Sequence, residues 1–327
     1  MANSRTPRVF TGIPTVLDDL QIGDQIIRNR IIKTYLGSGQ WLTSLDDITV
    51  PGKVFCVDSV IGVDGNDGLS WSTPFATIGR AITLATAGDK IMLKGSFNEE
   101  VTADKVGLLF VGVGNGPNQT QWTAPDDSNC LIINATDILV AGIKFRPPAF
   151  SEGAPAAIVL SGASYARIVG NRFQGKTGSF AAIYSPVCDS DNVLIEHNEF
   201  IYLNNITGVY GAAILGIEDG GLSYSAWQIK NNDFNAPIEG ININGRCCLI
   251  EGNHFRINGL KADGSIGAVT AGSKKVIDLS GTSSGCNHIH GNFLGGTYDT
   301  ALYCPGIDDD WAGNFNIAGI TTTNPAD

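Results

Sequence analysis

The sequence predicts an all-β solenoid, a β-helix of stacked coils, and three observations carry that prediction. The first is a phrase that recurs along the second half of the chain. It reads Ile168-Val-Gly-Asn171-Arg-Phe173, Ile195-Glu-His-Asn198-Glu-Phe200, Ile229-Lys-Asn-Asn232-Asp-Phe234 and Ile250-Glu-Gly-Asn253-His-Phe255. A weaker copy is Ile289-His-Gly-Asn292-Phe-Leu294, and Trp311-Ala-Gly-Asn314-Phe-Asn-Ile317 is a decayed one. An upstream relative, Val140-Ala-Gly-Ile143-Lys-Phe145, lacks the Asn. The second observation is a further short apolar strand before each phrase, such as Ile158-Val-Leu160, Ile241-Asn-Ile243 and Ile277-Asp-Leu279, ending near Gly or Ser. The third is composition: 41 Gly and only 2 Met in 327 residues with 43% hydrophobic content, a turn-dense chain with enough apolar mass for a large core.

A fixed phrase at variable spacing describes coils with a constant core and variable loops, each unit burying its apolar face on its neighbours. Within the phrase, Ile and Phe are five residues apart. On a continuous strand they would face opposite ways, because side chains alternate. A bend at the Asn returns both to the interior, and Asn tolerates the left-handed conformation that such a bend needs. Successive Asn side chains are then expected to form a hydrogen-bonded ladder of Asn171, Asn198, Asn232, Asn253, Asn292 and Asn314.

Ahead of the repeats the chain changes character. Residues 1–36 read as an apolar, partly basic arm, with Arg5, Arg8, Arg28, Arg30 and Lys33 outweighing Asp18, Asp19 and Asp24. Thr15 and Asp18 suit the start of a helix through Leu17, Leu20, Ile27 and Ile31, although Ile26-Ile27 and Ile31-Ile32 equally suit strands. Residues 37–53 read as a linker, 54–114 as a cap with the first coils, 115–317 as the β-helix and 318–327 as a tail. Within the cap, Pro74–Ala85 predicts an amphipathic helix capped by Ser72 or Thr73, with Phe75, Ile78, Ile82 and Ala85 on one face. A solenoid needs such a cap to cover its first coil.

The order Val57-Asp58, Asp64-Gly-Asn-Asp67-Gly68, Pro74-Phe-Ala-Thr-Ile78, Gly88-Asp89, Gly95 and Phe97-Asn-Glu-Glu-Val101 resembles the opening of the pectate-lyase-like, right-handed parallel β-helix superfamily. The Asn phrases resemble that superfamily's Asn ladder. The resemblance spans about residues 54–317 and is specific for fold rather than activity. The lack of a secretion signal, the arm and the scattered thiols at positions 56, 130, 188, 247, 248, 286 and 304, read as reduced core cysteines, match the superfamily's phage members. By resemblance, the expectation is a structural protein of a bacteriophage particle: a homotrimeric spike, fibre-like or decoration subunit. It would be made in the host cytoplasm, displayed on the virion and joined to other virion proteins through residues 1–50. The alternatives are a polysaccharide-degrading tailspike and a non-catalytic module that binds host surface polysaccharide.

Net charge of −11 argues against a nucleic-acid partner, and no apolar run is long enough to span a membrane. Cleavage of a glycan needs paired carboxylates on one surface. The outward positions of the strand before each phrase are Val159, Tyr184, Leu215, Asn242, Asp278 and Tyr303, where only Asp278 is acidic. Glu218 and Glu239, near strand ends, complete the best trio. These positions carry no Lys or Arg to serve a calcium-dependent lyase. No catalytic site and no cofactor are expected; Asp64 with Asp67, and Asp308-Asp309-Asp310, are weak calcium candidates. His288 and His290 alternate along a strand and so share a face. Tyr184, Tyr202, Tyr210, Tyr224 and Trp227 are expected to be exposed, facing a glycan or a protein partner.

Overall fold

A computed structural model describes residues 9–10, 25–28, 31–37, 40–44, 52–114, 119–125, 127–146, 155–175, 181–201, 212–216, 224–235, 239–257, 276–281, 284–296, 303–304, 308–316 and 319–321. The chain divides into two compact units, Met1–Pro51 and Gly52–Asp327. The first is a four-stranded sheet of Val9–Phe10, Gln25–Arg28, Ile31–Gly37 and Gln40–Ser44. Strands therefore occupy the two Ile pairs where a helix was one of two readings, in keeping with the β preference of branched side chains. Thr15, Asp18, Leu17 and Leu20 lie outside the described residues. The strand Gln40–Ser44 occupies part of the stretch read as linker.

The second unit is the parallel β-helix. Among the described residues it has three long sheets of ten, ten and eight strands. The first sheet holds the Ile position of each phrase, from Val54–Asp58 to Asp310–Ala312. The second holds the Phe position, from Ser96–Asn98 to Asn314–Asn316. The third holds the strand before each phrase, from Val101–Ala103 to Tyr303–Cys304. The phrases lie in register from coil to coil: Ile168, Ile195, Ile229, Ile250, Ile289 and Trp311 follow one another in the first sheet. All six are buried. Trp122, Phe145, Phe173, Phe200, Phe234 and Phe255 stack in the second, with centroids 5.6 Å apart at the N-terminal end and 4.5 Å at Phe234–Phe255. Strand spacing near 4.8 Å brings like rings to stacking distance.

The Asn ladder runs between the first two sheets. Asn171, Asn198, Asn232, Asn253, Asn292 and Asn314 are all buried. The backbone N–H and Nδ2 of each donate to Oδ1 of the next, at 2.9 and 3.2 Å for Asn171 to Asn198 and 2.9 and 2.9 Å for Asn292 to Asn314. Nδ2 also donates to the Ile carbonyl one coil back, as from Asn232 to Ile195 at 2.9 Å. At the upstream copy that lacks Asn, Ile143 N–H donates to Asn171 Oδ1 and begins the ladder.

The bend itself differs from the expectation. The left-handed residue is the one before each Asn, or before Ile143 in the upstream copy: Gly142, Gly170, His197, Asn231, Gly252, Gly291 and Gly313, with φ from +54° to +70°. The Asn side chain is needed inside for the ladder, so the residue ahead of it makes the turn. A second left-handed bend enters the first sheet from the other side. It falls at Gly107, Asp137, Tyr165, Asn192, Ala226, Cys247, Cys286 and Asp308, with φ from +53° to +73°. Cys247 and Cys286 are therefore exposed free thiols, against the expectation of core cysteines, while Cys56, Cys130 and Cys248 are buried. Burial pushes the Cys248 thiol up to about 12.

The coil stack is covered at its N-terminal end and, in the second sheet, at its C-terminal end. At the N-terminal end, the helix Ile78–Leu84 buries Ile78, Ala81 and Ile82, and the expected apolar face is present. Its cap is Thr77, not Ser72 or Thr73, because Phe75 is held in a parallel bridge with Val57 and cannot start a helix. At the other end, Gly319–Thr321, within the stretch read as tail, pairs antiparallel with Asn314–Asn316. Reversing direction there lays a strand over an otherwise open edge of the second sheet.

Candidate functional site

The outer face of the third sheet carries the candidate acid–base positions. Val159, Tyr184, Leu215, Asn242 and Asp278 follow one another in register. Tyr303 pairs with Ile277, so the column of Asp278 continues at Cys304. Val159 and Leu215 are buried with Ala156, Ala181 and Ala212 in an apolar cluster separate from the main core, with Ile132 and Tyr184 packed against it. Burial raises the Tyr184 phenol. Asp278 is turned into its own chain, where Oδ1 accepts from Ser280 N–H at 3.0 Å and Ser280 Oγ at 2.6 Å. Glu239 is buried and stands opposite Ala212. It lies three residues along the strand from Asn242, about 10 Å. Asn242 in turn pairs with Asp278, and Glu218 lies outside the described residues.

The exposed-aromatic reading fails at two positions. Tyr224 and Trp227 are fully buried, with rings 4.9 Å apart. Tyr224 Oη donates to the Ser185 carbonyl at 2.7 Å, and Trp227 Nε1 donates to the Ser190 carbonyl. Each polar edge finds a partner inside, which is what allows a large amphipathic ring to be buried. Tyr202 and Tyr210 lie outside the described residues. Tyr165, Phe293, Phe315 and Trp71 are exposed aromatics that pattern reading missed, and Trp71 stands beside Lys94 and Asp58 in a cleft of about 800 Å³ near the N-terminal end of the first sheet. Lys94 Nζ is 2.8 Å from Asp58 Oδ2 and lies 5.9 Å from the Trp71 ring centroid. Burial works to raise the Asp58 carboxyl, but the Lys94 ammonium and the Val60 and Ile61 amides outweigh it and hold the group below its ordinary value.

The acidic calcium candidates are occupied with the fold. Asp64 Oδ1 accepts from Ala76 and Thr77 N–H at 2.9 and 3.0 Å, and Glu99 accepts from Ile78 and Gly79 N–H, so these two carboxylates serve the start of the capping helix. Asp67 accepts from Thr73 Oγ1 at 2.6 Å and Leu69 N–H at 3.1 Å, bonds that lower its pKa. Asp308, Asp309 and Asp310 diverge. Asp308 is the exposed left-handed residue, and Asp309 Oδ1 accepts from Asn287 N–H and Nδ2, both at 2.9 Å. Asp310 lies on the outer face of the first sheet, 2.9 Å from His290 Nε2 and 3.5 Å from His288 Nδ1. Consecutive residues in extended chain point different ways, so the triplet makes no single cluster. The two histidines do share a face as expected. Their carboxylate partner comes from the next coil, which sequence spacing does not reveal.

The sequence matches no protein-family model and no curated protein. Its fold does match solved structures. An alginate lyase from Paenibacillus is similar at 15% identity and a TM-score of 0.51, over 73% of this chain and 94% of that one. A pectate lyase is similar at 12% identity and a TM-score of 0.48, over 81% and 70%. A Geobacillus virus protein, ORF18, is similar at 13% identity and a TM-score of 0.37, over 95% and 74%. Likeness at such identities concerns fold alone. With its in-register coils and buried Asn ladder, the chain from Gly52 onward is a parallel β-helix, similar in fold to the alginate lyase.

Proposed function

We propose that this chain is a structural protein of a bacteriophage particle, an oligomeric β-helical surface spike, fibre-like or decoration subunit. In this reading it is made in the host cytoplasm, assembles as a homotrimer, and joins other virion proteins through its N-terminal unit. The supporting observation is the outer face of the third sheet. Glycan cleavage requires two carboxylates about 5–10 Å apart, facing one gap. Among the described residues one column of that face runs Ile132, Val159, Tyr184, Leu215, Asn242 and Asp278, the last bonded within its own turn, and Glu239, opposite Ala212, is buried. The buried apolar cluster on that face suits a scaffold better than a substrate groove. The separate unit Met1–Pro51, a small sheet with its own strands, suits an attachment module.

Deleting residues 1–51 tests the reading. The remaining body should fold and should no longer enter particles; a truncated chain that is still incorporated would contradict the anchor. Light scattering should report a trimer, and a monomer at micromolar concentration would remove the lateral contacts. Incubation with host polysaccharide should release no reducing or unsaturated sugar ends. Release that is lost in Asp278→Asn would establish the polysaccharide-degrading alternative instead.

A further inference from the structure

The first sheet carries three metal-ligating side chains at its C-terminal edge. In the strand His288–His290, the central Ile289 is buried, which sends both imidazoles to the outer face. The next coil sets Asp310 opposite His288 and the buried Trp311 opposite Ile289. One ligand atom from each of His288, His290 and Asp310 lies within 4.8 Å of the other two. The Asp310 Oδ2 distances of 2.9 and 3.5 Å bracket the donor separation of about 3.3 Å that a tetrahedral cation with bonds near 2.0–2.1 Å requires.

The frame beneath these groups is fixed at both ends of the strand. On one side Asn287 N–H and Nδ2 donate to Asp309 Oδ1, both at 2.9 Å. On the other Asn292 N–H and Nδ2 donate to Asn314 Oδ1, both at 2.9 Å. All the ligands therefore stand on clamped strands, and buried polar contacts set their spacing.

We propose that His288, His290 and Asp310 bind one borderline transition cation of the zinc class. The site has three protein ligands and a fourth position open to water. Two imidazole nitrogens and one carboxylate oxygen suit Zn²⁺, Co²⁺, Ni²⁺ or Cu²⁺, whereas Ca²⁺ and Mg²⁺ take oxygen ligands. The cation bridges the last two strands of the first sheet, and Asp310–Ala312 is its edge strand among the described residues. A sheet edge opens more readily than its middle. A cation held only by the folded arrangement staples that edge and stabilises it by mass action.

The test uses the full chain, stripped with a chelator and then titrated with zinc sulfate in a calorimeter. One zinc per chain should bind, the melting temperature should rise, and excess calcium chloride should not compete. Cobalt should give the visible absorption of a four-coordinate site. His290→Ala and Asp310→Asn should each lower zinc affinity at least about tenfold and abolish the melting shift. Both should melt like the parent in chelator, since the positions face outward. His197→Ala, on a different coil, should bind zinc as the parent does. Zinc X-ray absorption of the unaltered protein gives an independent reading: two imidazoles per zinc support the site, and an all-oxygen shell overturns it. Absence of stoichiometric binding, or its retention in a His288→Ala/His290→Ala double variant, would also overturn the proposal and leave an imidazole–carboxylate ion pair only.

Discussion

The two bends that flank the first sheet make the same backbone turn with different chemistry. The bend leaving the sheet uses Gly at five of its seven left-handed positions and is followed in six coils by a buried Asn. The bend entering the sheet uses Asp, Tyr, Asn, Ala, Cys, Cys and Asp after its first Gly. The residue that follows it inward is equally varied: Ile138, Ala166, Val193, Trp227, Cys248, Asn287 and Asp309. A left-handed turn needs only tolerance of its φ, which several residue types supply at a modest cost. A continuous ladder needs a donor and an acceptor at each rung, so it fixes residue identity. Repetition in this chain therefore marks axial bonding, and not merely bending.

Five substitutions break or sharpen that contrast. The largest effect is expected at the ring stack beside the ladder. Phe234→Ala opens a cavity between Phe200 and Phe255, whose centroids lie 4.7 and 4.5 Å from its own, and should cost about 3–5 kcal/mol in urea unfolding. Asn232→Ala leaves Asn198 N–H and Nδ2 without their acceptor and the Ile195 carbonyl without a donor. It should cost about 2–4 kcal/mol; unchanged melting would remove the ladder from the account. At the entering bend Ser190→Ala removes one acceptor, from Ala163 N–H at 2.9 Å, so a smaller loss of about 1–2 kcal/mol is expected. The smallest pair is a matter of sign. Gly170→Ala, at φ +65° with open space around the new methyl, should destabilise by about 1 kcal/mol through conformation alone. Ala226→Gly, at φ +56° in the entering bend, should stabilise by up to about 1 kcal/mol. Equal signs for these two would mean that the bends are not equivalent.

What could be read from the sequence follows the same division. The Ile and Phe columns, the ladder and the apolar face of the capping helix were legible because stacking like on like repeats residue types. The start of that helix was not, since Asp64 and Glu99 serve its first amides from outside the helix. The entering bend has no consistent residue type and left no signal. Tyr224 and Trp227 were misread as exposed because a buried ring with its polar edge bonded inside looks, in sequence, like a surface aromatic. At the candidate site, the alternation of His288 and His290 was legible and Asp310 was not. Its place depends on coil register, and coil lengths between successive ladder Asn vary from 21 to 39 residues.

The central claim is that the ladder couples neighbouring coils and only neighbouring coils. A double-mutant cycle in urea unfolding tests it with Asn198→Ala and Asn232→Ala, adjacent rungs joined by bonds of 2.9 and 3.1 Å, set against Asn171→Ala with Asn292→Ala. The ladder predicts an interaction energy of about 1 kcal/mol or more for the adjacent pair and additivity within about 0.5 kcal/mol for the distant pair. Additive losses at the adjacent rungs would contradict it.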